Sequence, residues 1–163
     1  MLVTGLLDDV NDGGRIVVLS STGHQITYGE GIQLDNLDGS RGYQRWQAYG
    51  QSKLANLLFA KHLAKRVDRL AVGSVHPGVI QTNLGRHMNP GLQAGFGMIG
   101  NLFSKSIPQG AATQCYVAAH PDTASARGEY YADCNPAKPS RHGRDAALAE
   151  RLWDKSEEIV ASL

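Results

Sequence analysis

The stretch RIVVLSS, residues 15–21, decides the fold. It is a short, unbroken β-branched run that follows the turn residues Asn11-Asp12-Gly13-Gly14. A strand exposed on one face alternates apolar and polar residues, whereas a strand covered on both faces does not. RIVVLSS therefore predicts a strand buried on both faces, as in a parallel sheet.

Upstream, residues 1 to about 10 read as the end of a helix with Leu2, Leu6 and Leu7 on one side, stopped by the Asn-Asp-Gly-Gly turn. Downstream, residues 22–45 are rich in Gly, Asp, Asn and Ser and read as an irregular excursion. A long helix is expected over 46–67, and a second buried strand over 70–76 (LAVGSVH) that breaks at Pro77-Gly78. Residues 80–107 are Gly-rich yet apolar, which suits a segment with a greasy inner face. A helix opened by Pro108 (108–120), a third short strand GEYYAD (128–133) and a final amphipathic helix (145–161) complete the chain. Helices alternating with three strands predict an α/β fold around a parallel sheet. The residues 1–163 read as one domain. Three strands are few for a doubly wound sheet, which has about six. One edge of RIVVLSS is expected to lack a partner, with self-association as the consequence.

The composition narrows the class. Sixteen Lys and Arg against fifteen Asp and Glu leave a formal charge of +1, so nothing calls for nucleic acid or an acidic membrane. The hydrophobic fraction of 42% suits a globular core. Cys115 and Cys134 are far apart with no C-x-x-C, and free thiols in a reducing cytoplasm are expected. The N-terminus lacks a basic region ahead of its apolar residues, and no run reaches the roughly 18–20 apolar residues of a membrane helix. The six histidines show no paired ligand spacing, so no metal site is expected.

The chemistry centres on AYGQSKLANLLFAK, residues 48–61. Tyr49 and Lys53 are four apart and share one helical face. A lysine ammonium beside a phenol favours the phenolate, which prepares the tyrosine to give or take a proton. Taken alone, the pair reads as ordinary surface residues, because Y-x-x-x-K recurs by chance. Its surroundings alter that reading. Ser21 ends one buried strand, and His76-Pro77-Gly78-Val79-Ile80-Gln81-Thr82 ends the next. Ligands of open α/β sheets bind beyond the carboxyl ends of the strands. A serine hydroxyl, a tyrosine and a Pro-Gly turn would converge on one rim. His76 reads as a structural residue at a strand end, and Leu54, Leu57, Leu58 and Phe59 read as core and subunit interface. The basic stretch Arg141–Arg144 reads as a solvated loop.

Ser21, Tyr49-Gly50-Gln51-Ser52-Lys53 and Pro77-Gly78-x-x-x-Thr82, in that order, resemble the short-chain dehydrogenase/reductase family. YGQSKLANLLFAKHLAKR, SVHPGVIQTNL and GEYYADC look like its retinol dehydrogenase and WW-domain oxidoreductase branch, with the resemblance running from about residue 1 to 160. The resemblance implies a Rossmann-like doubly wound sheet and an NAD(P)-dependent oxidoreductase that interconverts a hydrophobic alcohol and its carbonyl. It makes Tyr49 the proton donor or acceptor, Lys53 the hydrogen-bond partner of the nicotinamide ribose, and Ser21 the partner of the substrate oxygen, with Ser20 as buried support. Pro77, Gly78, Val79, Ile80 and Thr82 would hold the nicotinamide carboxamide, and 80–107 would be the substrate lid. NADP or NAD is the implied cofactor, with NADP favoured, and the 46–67 helix would pair with its twin in a homodimer.

The sequence also departs from that family. The Gly-rich turn T-G-x-x-x-G-x-G, which seats a pyrophosphate at a helix N-terminus, is absent from the 163 residues. So are the family's N-A-G motif and the residue that selects NAD or NADP. The family's active-site asparagine would fall just before Met1, and Asn11 is no substitute for it. The chain therefore reads as the C-terminal part of such an enzyme, expected to be inactive alone. The alternative is a non-catalytic short product that self-associates or pairs with full-length relatives through the 46–67 helix.

Overall fold

The computed structural model describes residues 2–79 and 105–163. A short helix α1 (Leu2–Gly5) leads into a single 3-10 turn at Leu7–Asp9 and then into strand β1 (Arg15–Leu19). Helix α2 (Arg45–Leu63) returns to strand β2 (Ala71–His76). Helix α3 (Ile107–Ala119), strand β3 (Arg127–Ala132), strand β4 (Asn135–Ala137) and helix α4 (Ala146–Ala161) follow.

The four strands form one sheet in the order β1-β2-β3-β4. β1, β2 and β3 are parallel, and β4 folds back antiparallel on β3 with Ala132 opposite Asn135. The fourth strand corrects the expectation of three. Asp133 and Cys134, between β3 and β4, both have positive φ (52° and 58°), as a two-residue hairpin turn of the I′ kind requires. Only the aspartate is a usual residue there, so the turn carried a weak sequence signal.

Helices cover both faces of the sheet. Ile16, Val18 and Val72 pack with Ala60, Leu63 and Trp153 on the side of α2 and α4. Val17, Ala71 and Val75 pack with Tyr116 and Val117 of α3 on the other. Strand side chains alternate between faces, so an unbroken apolar run serves both layers at once. β2 is buried along its length except at His76, as expected. β1 is not: its first four residues are half-buried and Leu19 is exposed, because β1 is the edge of the sheet formed by the described residues.

α2 is shorter than its predicted span 46–67. It ends at Leu63, and the backbone turns through Lys65 and Arg66 to the start of β2. Its buried residues Leu54, Leu57, Leu58, Ala60 and Leu63 go round much of the helix, since it is packed between the sheet and α4. α3 starts at Ile107 with Ser106 as N-cap, reciprocated by Gln109 in a capping box, and Pro108 occupies the first turn, where its missing N–H costs nothing. Asp145 caps α4 through the Leu148 N–H. The excursion 22–45 is less loose than its composition suggests. It makes a 3-10 turn at Thr22–Gln25 and sends Ile32 into the core beside Leu54, Leu58 and Leu148. Most of the predicted lid, residues 80–104, lies outside the described residues.

Candidate active site

The carboxyl ends of the three parallel strands form one rim, and α2 is tied down beside it. The Ser20 hydroxyl, buried behind β1, donates to the Lys53 carbonyl (2.8 Å). The Asn56 side-chain amide donates to the Leu19 carbonyl (2.8 Å). These two bonds fix the register of α2 against the end of β1, and hence the height of Tyr49 and Lys53 above the rim. Asn56 was not singled out from the sequence; lying three residues beyond Lys53 on a helix, it carries no motif of its own.

Gly50 sets how closely that helix approaches. A Cβ there would stand 1.7 Å from the Ile26 carbonyl oxygen, an impossible distance, so the helix can lie against the Gly23–Ile26 backbone only with glycine at this place. The contact delivers Tyr49 to Ser21. A Cβ built on Gly23 would lie 2.7 Å from Tyr49 Cε1 and 3.4 Å from Ser21 Oγ, so the ring and the hydroxyl flank the same point. Tyr49 is 39% exposed and open to a ligand. The Lys53 ammonium lies 5.6 Å from the centre of the Tyr49 ring, on the same side of α2. The Ser21 hydroxyl accepts the Gly23 N–H (3.0 Å), and its own proton remains available to a second acceptor.

The neighbouring strand end is built from the Pro77-Gly78-Val79 turn. Gly78 has φ of +90°, where a side chain is strained, and the Lys105 stem fills the space a Cβ would need. The Lys105 N–H donates to the Val79 carbonyl (2.7 Å), and its ammonium is ion-paired with Asp133 in the β3–β4 turn. That hydrogen bond and charge hold the Asp133 carboxyl below the usual carboxylate range. His76 accepts the Thr22 N–H on Nδ1 (3.3 Å), joining the ends of β1 and β2. Burial is the main reason its pKa is lowered; Asp133 opposes that shift, and Lys105 adds to it.

Ser21, Tyr49, Lys53, Pro77, Gly78 and Val79 are all placed at this rim: Ser21 caps the 3-10 turn just beyond β1, Tyr49 and Lys53 sit on α2, and Pro77, Gly78 and Val79 follow β2. Ile80 and Thr82 lie outside the described residues. Among the described residues, no cluster of three or more His, Cys, Asp or Glu side chains could hold a metal ion. No helix among them is long and apolar enough to cross a membrane.

An α/β sheet with helices on both faces and a rim at the carboxyl ends of its parallel strands is a Rossmann-like architecture. No family model matches the chain. It is 48% identical over 154 residues to a chloroplastic short-chain dehydrogenase of Brassica napus, TIC 32 A, across 92% of this chain and 48% of that one. It is 37% identical over 166 residues to retinol dehydrogenase 14 of Mus musculus, across 99% of this chain and 48% of that one. A crystal structure of an uncharacterised Mycobacterium paratuberculosis protein superposes with a TM-score of 0.71 at 29% identity, across 96% of this chain and 53% of that one. Over the length it shares with these relatives, the chain resembles short-chain dehydrogenases, on the retinol dehydrogenase-like side of that family. It spans about half the length of these relatives.

Proposed function

We propose that these residues carry the proton-transfer half of an NAD(P)-dependent oxidoreductase acting on a hydrophobic alcohol or its carbonyl. The observation that carries the proposal is that the Tyr49 ring and the Ser21 hydroxyl flank the same point beside Gly23, with Lys53 on the same side of the helix. The residues present fit the nicotinamide end of such a cofactor. Gly78 permits a sharp turn in which backbone polar groups approach a flat amide, and Lys53 stands within one helical turn of Tyr49 to meet a ribose hydroxyl. Tyr49, Lys53, Pro77, Gly78 and Val79, with Ile80 and Thr82, would hold it. When bound there, the nicotinamide supplies the hydride.

The protein's part is the proton and the geometry. In the reducing direction the Ser21 hydroxyl donates a hydrogen bond to the substrate carbonyl and fixes it beside Tyr49. The Tyr49 hydroxyl gives its proton to the same oxygen, which becomes the oxygen of the alcohol. The Lys53 ammonium stabilises the phenolate left behind. Oxidation runs through the same atoms in reverse. NADP is favoured over NAD, the substrate is a hydrophobic one of retinoid, steroid or long-chain aldehyde type, and the cytoplasm is the proposed setting.

The 163 residues contain no T-G-x-x-x-G-x-G turn, so tight pyrophosphate binding by these residues alone is not expected. The first measurement is the intact mass of the native polypeptide. If it lies well above 17.5 kDa, NADPH-dependent reduction of a long-chain aldehyde is assayed on that polypeptide. Tyr49→Phe should then lower turnover at least 100-fold, since general acid catalysis contributes about 10²–10⁴; unchanged turnover would refute the role of Tyr49. Micromolar NADPH affinity in the isolated chain would overturn its proposed inactivity.

A second reading is favoured by one feature. A groove of about 440 Å³ runs between α2 and α4, lined by Ala55, Phe59, Leu152, Trp153 and Val160 among others. Its apolar lining suits pairing through α2, either with a second copy or with a longer relative. A native mass of 17.5 kDa with a concentration-dependent dimer by light scattering would favour this non-catalytic reading.

A further inference from the structure

Behind Ser21 stands a histidine that the proposed chemistry does not use. His24 is 0% exposed. Its Nδ1 is 2.6 Å from the Ser21 carbonyl oxygen, which can only accept, so Nδ1 carries the proton. Its Nε2 is 3.0 Å from the Ser140 backbone nitrogen, which can only donate, so Nε2 is bare. One form of the ring satisfies both bonds: the neutral Nδ1–H tautomer. The ring also meets Tyr130 of β3 edge-on, with centroids 5.2 Å apart.

The consequence falls on Ser21. Its carbonyl is tied back to His24, and its hydroxyl is tied forward to the Gly23 N–H beside Tyr49. Both bonds lie within one 3-10 turn capped by Ser21 itself, where the same carbonyl also accepts the His24 backbone N–H (3.1 Å), so the ring bears on the turn that places the hydroxyl. Ser140, at the far end of the brace, belongs to the loop between β4 and α4, and its own hydroxyl accepts the Gly143 N–H. The brace therefore links the C-terminal loop to the reactive rim.

We propose that His24 is a positioning residue for Ser21, holding the serine hydroxyl beside Tyr49 by bridging the Ser21 carbonyl and the Ser140 N–H as a neutral Nδ1–H imidazole. The proposal rests on the reading of Ser21 as the substrate's hydrogen-bond partner. A second proton, placed on Nε2, would set a donor against the Ser140 N–H and break the bridge. Burial of the ring resists that proton, and the titratable groups near it are His76 and Tyr130.

The test is ¹⁵N spectroscopy of the native polypeptide with labelled histidine and backbone. At pH 7 the His24 ring should show the Nδ1–H signature. On acidification the Ser21–Gly23 and Ser140 amide resonances should move together with the His24 ring, at a midpoint below 6.5. An Nε2–H signature, or amides that ignore the ring, overturns the proposal. Two variants separate the ends of the bridge. His24→Asn keeps a donor for the Ser21 carbonyl, and His24→Gln keeps an acceptor for the Ser140 N–H. The Gly23 amide should stay near its wild-type position in the first and move in the second, with the reverse at Ser140. Equal perturbation of both amides by both variants counts against the bridge. If either variant fails to fold, the wild-type titration still decides. Ser21→Ala turnover is a separate matter: full activity there with the Nδ1–H signature intact would refute the role of Ser21 while leaving the brace standing.

Discussion

β1 and β2 lie side by side in parallel register, from Arg15 opposite Ala71 to Leu19 opposite Val75. Both are short and apolar, yet β2 is buried through Val75, and β1 is half-buried with Leu19 48% exposed. Side-chain chemistry does not separate them. Position does: among the described residues β2 has a hydrogen-bonded neighbour on each side, and β1 has one. An outer strand has half the lateral cover of an inner one, whatever its letters spell. The two strand ends are also held differently at the rim. The end of β2 is braced by Lys105 and Asp133, and the end of β1 depends on α2 through Ser20 and Asn56.

The largest expected effect sets a charge into each strand. Val75→Asp puts a carboxylate where no surface is exposed and should cost about 3–5 kcal/mol, the range for an uncompensated buried charge. Val17→Asp, at the half-buried edge, should cost less than half as much; equal losses in urea midpoint would mean that position in the sheet does not set the burial of these strands. Truncation is milder. Val75→Ala should lose about 1.5–3 kcal/mol, and Val17→Ala clearly less.

Acid should act next, through three histidines that are wholly or partly buried. His24, His62 and His76 all have pKa values lowered from 6.5, chiefly by burial. Each binds fewer protons folded than unfolded, so its contribution is fully present above 6.5 and is lost as pH falls through the lowered folded values. The urea midpoint should therefore drop as pH falls below 6.5. A flat profile would mean that these rings are not held neutral.

Tyr130 of β3 sharpens the picture with a smaller change. It is buried, its hydroxyl has no hydrogen-bond partner among the described residues, and burial pushes its pKa up to about 12. Tyr130→Phe should change stability by no more than about 1 kcal/mol, because no net hydrogen bond is lost. A loss of several kcal/mol would show that the hydroxyl is satisfied in solution. Leu19→Ser, at the exposed end of β1, should fall within about 0.5 kcal/mol of the parent.

The helix–strand alternation, the parallel sheet and the rim carrying Ser21, Tyr49 and Lys53 were legible in the residues alone. β-branched runs, Pro-Gly breaks and a helical i, i+4 pair are local patterns, and local patterns follow from backbone sterics and side-chain spacing. Long-range contacts decided the rest. The hairpin strand β4 is held by pairing with β3 through a turn whose cysteine gives no warning. Ile32 enters the core from a polar stretch because Leu54, Leu58 and Leu148 offer it a place. Gly50 matters because a backbone from another element, 24 positions earlier in the chain, lies where its side chain would be. His24 becomes a brace only because Ser140, distant in sequence, presents an N–H to it. Periodicity is written along the chain, whereas the identity of the atom on the far side of a contact is settled when the layers close.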